Sequence, residues 1–274
     1  MGRTRRTGGS EEAALKLEQD YDQVVAAPID GVIMSMIDRI SSRIPLWIRR
    51  IIKNILGRTL YPVLMPGAIR RLRKASANSI EEWIDLSMSF KYGLPVKGLH
   101  IQFKPGQVRS EILGLLNILE PERPNVVCEI GTAGGGTLFL LSRISDSNAT
   151  LISIDMPWGK FGSGYLPAQI PLFQSFARDD QKVHLLREDS HAQLTVDKLA
   201  GILSGKKIDY LLIDGDHTYE GVKQDFNTYS PFVRDGGLIA FHDIVPGPKD
   251  KVGGVHVFWK EMRSSYEHQE FVQD

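Results

Sequence analysis

From Asn125 onward short apolar runs alternate with amphipathic ones, and this alternation narrows the folds open to the chain more than any other feature. "VVCEIG", "ATLISID", "KVHLLRED", "IDYLLIDG" and "GGLIAFHD" read as strands. Between them "TLFLLSRI", residues 169–180, "TVDKLAGIL" and "EGVKQDFNTYSPF" read as helices, and "GVHVFWKEMRSSY" follows as another, with "EHQEFV" as a last strand. Strands that alternate with helices are joined by right-handed crossovers, so the expected fold is α/β, a doubly wound and mostly parallel sheet. Such sheets bind ligands beyond the carboxyl ends of their strands. At that edge each run ends in an acid: Glu129, Asp155, Asp189, Asp214 and Asp243. A single one could cap a helix. Five in register point to a site.

The turn after the first strand, "CEIGTAGGGT", is rich in glycine, which lets backbone amides approach a ligand at a helix N-terminus. It does not fit the dinucleotide pattern G-x-G-x-x-G, because Ala133 stands where the second glycine belongs. Asp155 follows Gly131 by 24 residues, at the tip of the second strand, where a carboxylate can accept both ribose hydroxyls. "EDSH" ends the third strand and brings Asp189 and Ser190 to the same carboxyl edge. The bland alternative for Gly134–Gly136 is a tight strand-to-helix turn that holds no ligand.

Taken together, "EIGTAGGGT", "SIDMP", "EDSH", "IDGDHTYEGVKQDF" and "GGLIAFHDI" resemble class I S-adenosylmethionine (SAM)-dependent methyltransferases. The similarity spans about residues 98–274. It is closest to the branch of cephalosporin hydroxylase-like proteins and macrolide sugar O-methyltransferases, and more distant to catechol-type enzymes. The resemblance implies a Rossmann-like fold and SAM as cofactor. It assigns the cofactor to Glu129, Gly131, Thr132, Ala133, Gly134, Gly135, Asp155, Asp189, Ser190 and Asp214. Glu129 either orients the glycine turn or meets the methionine amino group. The resemblance further implies a divalent metal, Mg or Mn, on Asp214, His242 and Asp243. A histidine in that set favours Mn²⁺, Fe²⁺ or Zn²⁺ over Mg²⁺. His217, three residues after Asp214, takes the place of a general base, an imidazole near neutrality beside an acceptor hydroxyl. Its competing reading is a helix-capping residue; Asp216 is expected to support or cap, and Tyr219 and Asp225 to be structural.

The expected activity is O-methylation of a small hydroxylated acceptor: a sugar, glycoside or other polyhydroxylated natural product. The alternative is a nucleotide-fold binding or scaffolding protein without turnover, peripheral to the membrane. The family's antiparallel seventh strand has no counterpart in the sequence. The insertion "MPWGKFGSGYLPAQ" reads as a lid over cofactor and acceptor.

The remainder divides into a polar tail over 1–30, disordered or partly helical, and a basic helical region over 31–97. Residues 39–74 carry ten basic side chains and no acid. The prolines at 45, 62 and 66 are expected to divide that region. On a wheel of 100° per residue, Ile44, Trp47, Ile48, Ile51, Ile52, Ile55 and Leu56 fall opposite Arg43, Arg49, Arg50 and Lys53. An anionic membrane surface is one expected partner for that face, and packing on the catalytic domain or on a second copy is the other. A capping box, "SIEE", starts a helix at Ser79 that is expected to run to about Gly93, and residues 98–107 form a loop before a helix over 108–119. Lys+Arg and Asp+Glu both total 33, so no net charge points to nucleic acid. One cysteine, Cys128, excludes an intrachain disulfide or a thiolate zinc cluster. The basic N-terminus has no apolar stretch of a secretory signal, and the location expected is cytoplasmic.

Overall fold

A computed structural model describes residues 46–93, 100–157, 159, 164–248 and 251–272, with backbone alone for 46–58. Helix α1 (Leu46–Lys74) and helix α2 (Ile80–Ser89) come first, followed by a small antiparallel pair, β1 (Tyr92–Gly93) and β2 (His100–Ile101), and helix α3 (Arg109–Glu122). The alternating part then runs β3 (Val126–Ile130), α4 (Gly136–Ile144), β4 (Thr150–Ile154), α5 (Ile170–Gln174), β5 (Lys182–Leu186), α6 (Gln193–Leu203), β6 (Ile208–Ile213), α7 (Tyr219–Tyr229), β7 (Val233–Phe241) and α8 (Val255–Met262). The five strands form one parallel sheet in the order β5-β4-β3-β6-β7. The fold is the expected doubly wound α/β sheet. Chain direction across the sheet reverses at β3, so the crevice beyond the tips of β3 and β6 is the topological switch point.

All five residues of β3 are buried, because both faces of the sheet are covered. Side chains alternate between two cores. Val127, Leu151, Tyr210 and Leu212 join the one built by α1, α2, α3 and α4. Cys128, Ile152, Leu211 and Ile213 join the one under α6, α7 and α8.

Several boundaries depart from the sequence expectations. Helix α1 runs through Pro62 and Pro66 instead of being divided by them. Each proline removes an amide donor and crowds the preceding turn, at about 3 kcal/mol or more. Tyr61, Met65, Ala68 and Leu72, spaced along one stripe, offset this by burying themselves in the core. The wheel over 43–56 falls on residue 43–45 backbone and 46–58 side chains outside the described residues, as does the polar tail. Helix α2 stops at Ser89. Its cap is a variant of the expected box: Glu82 N–H donates to Ser79 Oγ (3.3 Å), but the Glu82 carboxylate takes the N–H of Asn78 (2.7 Å) rather than that of Ser79. Helix α5 covers five residues of the expected twelve, since a 3₁₀ turn at Pro167–Gln169 precedes it.

"EHQEFV" is not a strand. Glu270 accepts hydrogen bonds from Trp259 Nε1 and Arg263 Nη1, both at 2.6 Å, which ties the segment to α8. The Phe271 ring lies where a side chain at Gly114 of α3 would stand, 2.4 Å from an added Cβ. Among the described residues β7 therefore has no neighbour on its outer edge, and neither a sixth nor a seventh strand extends the main sheet.

Candidate active site

The turn out of β3 crosses the end of β6 in direct backbone contact. Gly131 has φ +94°, and a Cβ there would stand 1.9 Å from the Asp214 carbonyl oxygen. Only glycine permits both the conformation and the approach. Ala133 is held at φ +44°, a strained value for a residue with a side chain. The turn closes one wall of a cavity of about 280 Å³ at the switch point. Gly131 and Ala133 line it from β3, Asp155 and Met156 from β4, and Glu188, Asp189, Ser190 and His191 from the loop after β5; Asp214 and Asp216 line it from β6.

Asp155 accepts the N–H of Tyr165 at Oδ2 (3.2 Å). Burial lifts its carboxyl to about 6, against the pull of the Tyr165 and Ala133 amides. Asp189 Oδ1 accepts the His191 N–H (2.9 Å), and Tyr229 Oη donates to the Ser190 carbonyl (2.6 Å), which fixes the strand end. His191 lies 3.3 Å by Nε2 from the fully buried Asp225, a wall residue that its place in "EDSH" alone gave no reason to select.

Four residues assigned to the cofactor lie off this cavity wall. Gly134 backs onto the Lys104 carbonyl and Gly135 onto the Phe173 ring, so their lack of a side chain serves packing. The buried Thr132 hydroxyl pairs with Ser153 Oγ (2.6 Å). Glu129 is buried beneath the turn, and its Oε2 has no hydrogen-bond partner among the described residues. Burial raises its pKa to about 8; Thr132 acts in the opposite direction, while Asp214 and Asp155 add to the rise. An unpartnered buried carboxylate oxygen fits a cationic group such as the amino group of SAM.

Beside the cavity stands a compact cluster on the tips of β6 and β7. His217 Nδ1 is 3.0 Å from Asp243 Oδ2, and its Nε2 is 3.4 Å from Asp214 Oδ1. His242 Nδ1 is 3.0 Å from Asp214 Oδ1 and 3.5 Å from Asp243 Oδ1. One ligand atom each from Asp214, His217 and Asp243 can be chosen so that all lie within 4.8 Å of one another. The group that meets a metal-like geometry thus contains His217 where the sequence expectation had His242. Burial pulls both imidazoles toward neutrality, but the bonds to Asp214 and Asp243 outweigh it and raise both to about 10, the Lys251 carbonyl contributing at His217. For Asp243 burial pushes up, and His217 and His242 together hold it well below the usual carboxylate range. Asp243 also sits at φ +58°, so the backbone is strained where the carboxylate is presented.

His217 does not cap α7. Thr218 does, its hydroxyl accepting the Gly221 N–H (2.9 Å), while Asp216 accepts the Thr218 N–H (2.9 Å). The imidazole is left to the carboxylates. Sequence reasoning also passed over Gln107: its Nε2 donates to Asp214 Oδ2 (3.0 Å), and its Oε1 accepts from Thr137 Oγ1 (2.8 Å). In the expected lid, residues 158 and 160–163 lie outside the described residues. Its far end is anchored, since Tyr165 is buried and packs on Phe173 at 4.9 Å.

Residues 128–244 match a family model described as a methyltransferase domain. Uncharacterized protein R132 of Acanthamoeba polyphaga mimivirus is 33% identical over 115 residues, 42% of this chain and 49% of that protein; the chain therefore spans about half the length of the curated relative it matches. Among solved structures, the O-methyltransferase TomG of Streptomyces achromogenes, involved in tomaymycin synthesis and in complex with SAM, is 16% identical, with 71% of this chain and 81% of that chain covered and a TM-score of 0.45. An O-methyltransferase of Bacillus cereus in complex with SAH is 17% identical, with coverages of 70% and 81% and a TM-score of 0.41. Over residues 128–244 the chain is thus similar to a methyltransferase domain, and it carries that similarity on a doubly wound sheet with a cavity at the switch point.

Proposed function

We propose that this protein is an O-methyltransferase that moves the methyl group of SAM to a hydroxyl of a small polyhydroxylated acceptor, with a divalent cation beside the acceptor. The observation that carries this reading is the double position of Asp214. It lines the cavity and also belongs to the Asp214–His217–Asp243 cluster, so the cofactor pocket and a set of acid–base groups share a wall. A sugar or glycoside acceptor is favoured by the family resemblance.

SAM supplies an electrophilic methyl group when bound. Asp155 accepts the ribose hydroxyls, Asp189 and Ser190 hold the adenine edge, and Glu129 balances the amino group. The carboxylates of Asp214 and Asp243 form an oxygen donor pair suited to Mn²⁺ or Mg²⁺. A cation held by Asp214 and Asp243 would acidify an acceptor hydroxyl and neutralise the charge that keeps His217 protonated. His217, beside both carboxylates, would be the group to take the hydroxyl proton at an imidazole nitrogen. His242 and Gln107 keep Asp214 oriented through their bonds to its two oxygens.

One observation favours a second reading, transfer without metal. Both carboxylates already have imidazole partners. The deciding experiment follows SAH release from SAM over a panel of sugars and phenols, with Mn²⁺, Mg²⁺ or a chelator. Turnover that needs the cation supports the first reading, and chelator-resistant turnover supports the second. Binding of SAM without turnover for any acceptor would favour a binding or scaffolding protein.

A further inference from the structure

One stripe of α1 grades from apolar to cationic. Pro62, Met65, Pro66 and Ile69 follow one another at helical spacing, and Arg70, Arg73 and Lys74 continue the same face. The 3₁₀ turn and α5 form the opposite wall through Ala168 and Pro171, and the two sides enclose a groove of about 710 Å³. Its apolar stretch, from residue 62 to 69, is about 10 Å long at 1.5 Å per residue. Its lining shares no residue with the switch-point cavity.

Some of this has a structural purpose. Met65 is buried in the core, and cations suit the C-terminal turn of a helix. That does not account for the open, apolar part. Pro62 and Pro66 are exposed, and Val63 beside them is 74% exposed. Nor does it account for the three cations, none of which pairs with a carboxylate among the described residues. From residue 39 to 74 the chain has no acid to neutralise them.

We propose that this groove is a binding site for an anionic phospholipid of a bilayer surface. The acyl chain lies along Pro62, Pro66 and Ile69 against Ala168 and Pro171, and the phosphate is held by Arg70, Arg73 and Lys74. The occupant follows from charge complementarity and from the order of the stripe: an apolar slot that continues into cations with no carboxylate partner among the described residues matches an amphiphile with an anionic head. The site is independent of methyl transfer, so either assignment can fail alone.

The test is flotation of the full chain with phosphatidylcholine vesicles that contain, or lack, phosphatidylglycerol. Binding is expected to the anionic vesicles only and to weaken with salt. The variant R70Q/R73Q/K74Q is expected to lose about a hundredfold in partitioning, at about fivefold per charge. Ala168→Trp, which fills the groove and leaves the charges in place, is expected to lose roughly tenfold or more, as about two buried methylenes are given up. Pro66→Glu, on the exposed floor, is the second groove variant should Ala168→Trp misfold, and the thermal melt of each reports folding. Wild-type binding equal to that of Ala168→Trp and Pro66→Glu would overturn the groove and leave plain electrostatic adsorption. No binding to anionic vesicles, or a dimer in solution that these variants dissociate, would overturn the lipid as occupant.

Discussion

The side chain of Gln107 reaches across the molecule to Asp214, its amide donating to Oδ2 at 3.0 Å from 107 positions away in sequence. The loop before α3 thereby holds one oxygen of the carboxylate shared by the cavity and the histidine cluster. Thr137 at the start of α4 accepts no freedom in the amide either, because its hydroxyl donates to Gln107 Oε1. Replacing Gln107 by Leu removes a hydrogen bond to a charged group, an effect of about 1.5–3 kcal/mol. Turnover is expected to fall at least tenfold while SAM affinity, measured by calorimetry, changes by less than threefold. Equal losses in both would place Gln107 in the cofactor pocket instead.

Asp155→Ala is expected to weaken SAM binding by about 1.5–3 kcal/mol, the loss of a charged acceptor for two hydroxyls. The pKa of about 6 adds a pH signature. Only the carboxylate accepts both bonds, so affinity in the wild type should fall as pH drops through 6. The variant should lack that step. Unchanged affinity in a folded Asp155→Ala protein would remove Asp155 from the ribose site.

Gly253 sits under His217 at φ +60°, where a Cβ would meet the His217 carbonyl oxygen at 2.0 Å. Gly254 N–H donates to the same carbonyl (2.7 Å). Gly253→Ala is expected to cost about 1–3 kcal/mol of stability and to lower turnover by displacing His217. Gly201 of α6 has nothing within 4 Å of an added Cβ. Gly201→Ala should be neutral or stabilising by up to about 1 kcal/mol. Urea melts of the two variants make the comparison, and similar destabilisation by both would contradict it.

The cluster should also leave a mark on stability. His217 and His242 are raised from 6.5 to about 10, so the stabilisation their protonated forms provide is complete below pH 6.5 and is lost as pH rises through 10. Glu129, raised from 4.5 to about 8, binds its proton more tightly in the folded state, so its contribution also declines with pH, between 4.5 and 8. The signs agree. The metal-free protein should lose stability steadily from pH 6.5 to 9. Glu129→Gln should reduce the slope below pH 8, and His242→Gln the slope across the whole range from 6.5 to 10. A urea midpoint that rises over that interval would contradict both assignments.

The sheet was legible because β3, β4 and β6 are apolar on both faces and end in acids, a pattern that local sequence carries in full. Asp155 and Asp214 were legible for the same reason: strand-tip positions are fixed once the strands are. Gln107 was not, since its role depends on a loop folding back over the glycine turn. The choice between His217 and His242 as the third ligand-like group depended on side-chain direction at two neighbouring tips, which strand order alone does not set. "EHQEFV" has the alternation of a strand, yet Trp259 and Arg263 take Glu270 and the small Gly114 admits Phe271. The two prolines read as breaks in α1, and only the burial of Tyr61, Met65, Ala68 and Leu72 explains why the helix continues.

The most direct test of the central assignment is an anomalous difference map, at the manganese edge, of crystals grown with SAH and Mn²⁺. SAH should lie in the cavity with its ribose on Asp155 and its adenine beside Asp189 and Ser190. A single manganese peak should stand about 2.1–2.3 Å from oxygens of both Asp214 and Asp243, with His217 facing the acceptor side. Ordered SAH with no peak, and with Asp214 and Asp243 still paired to His217 and His242, would contradict the cation. SAH bound away from Asp155 and Asp214 would contradict the site itself.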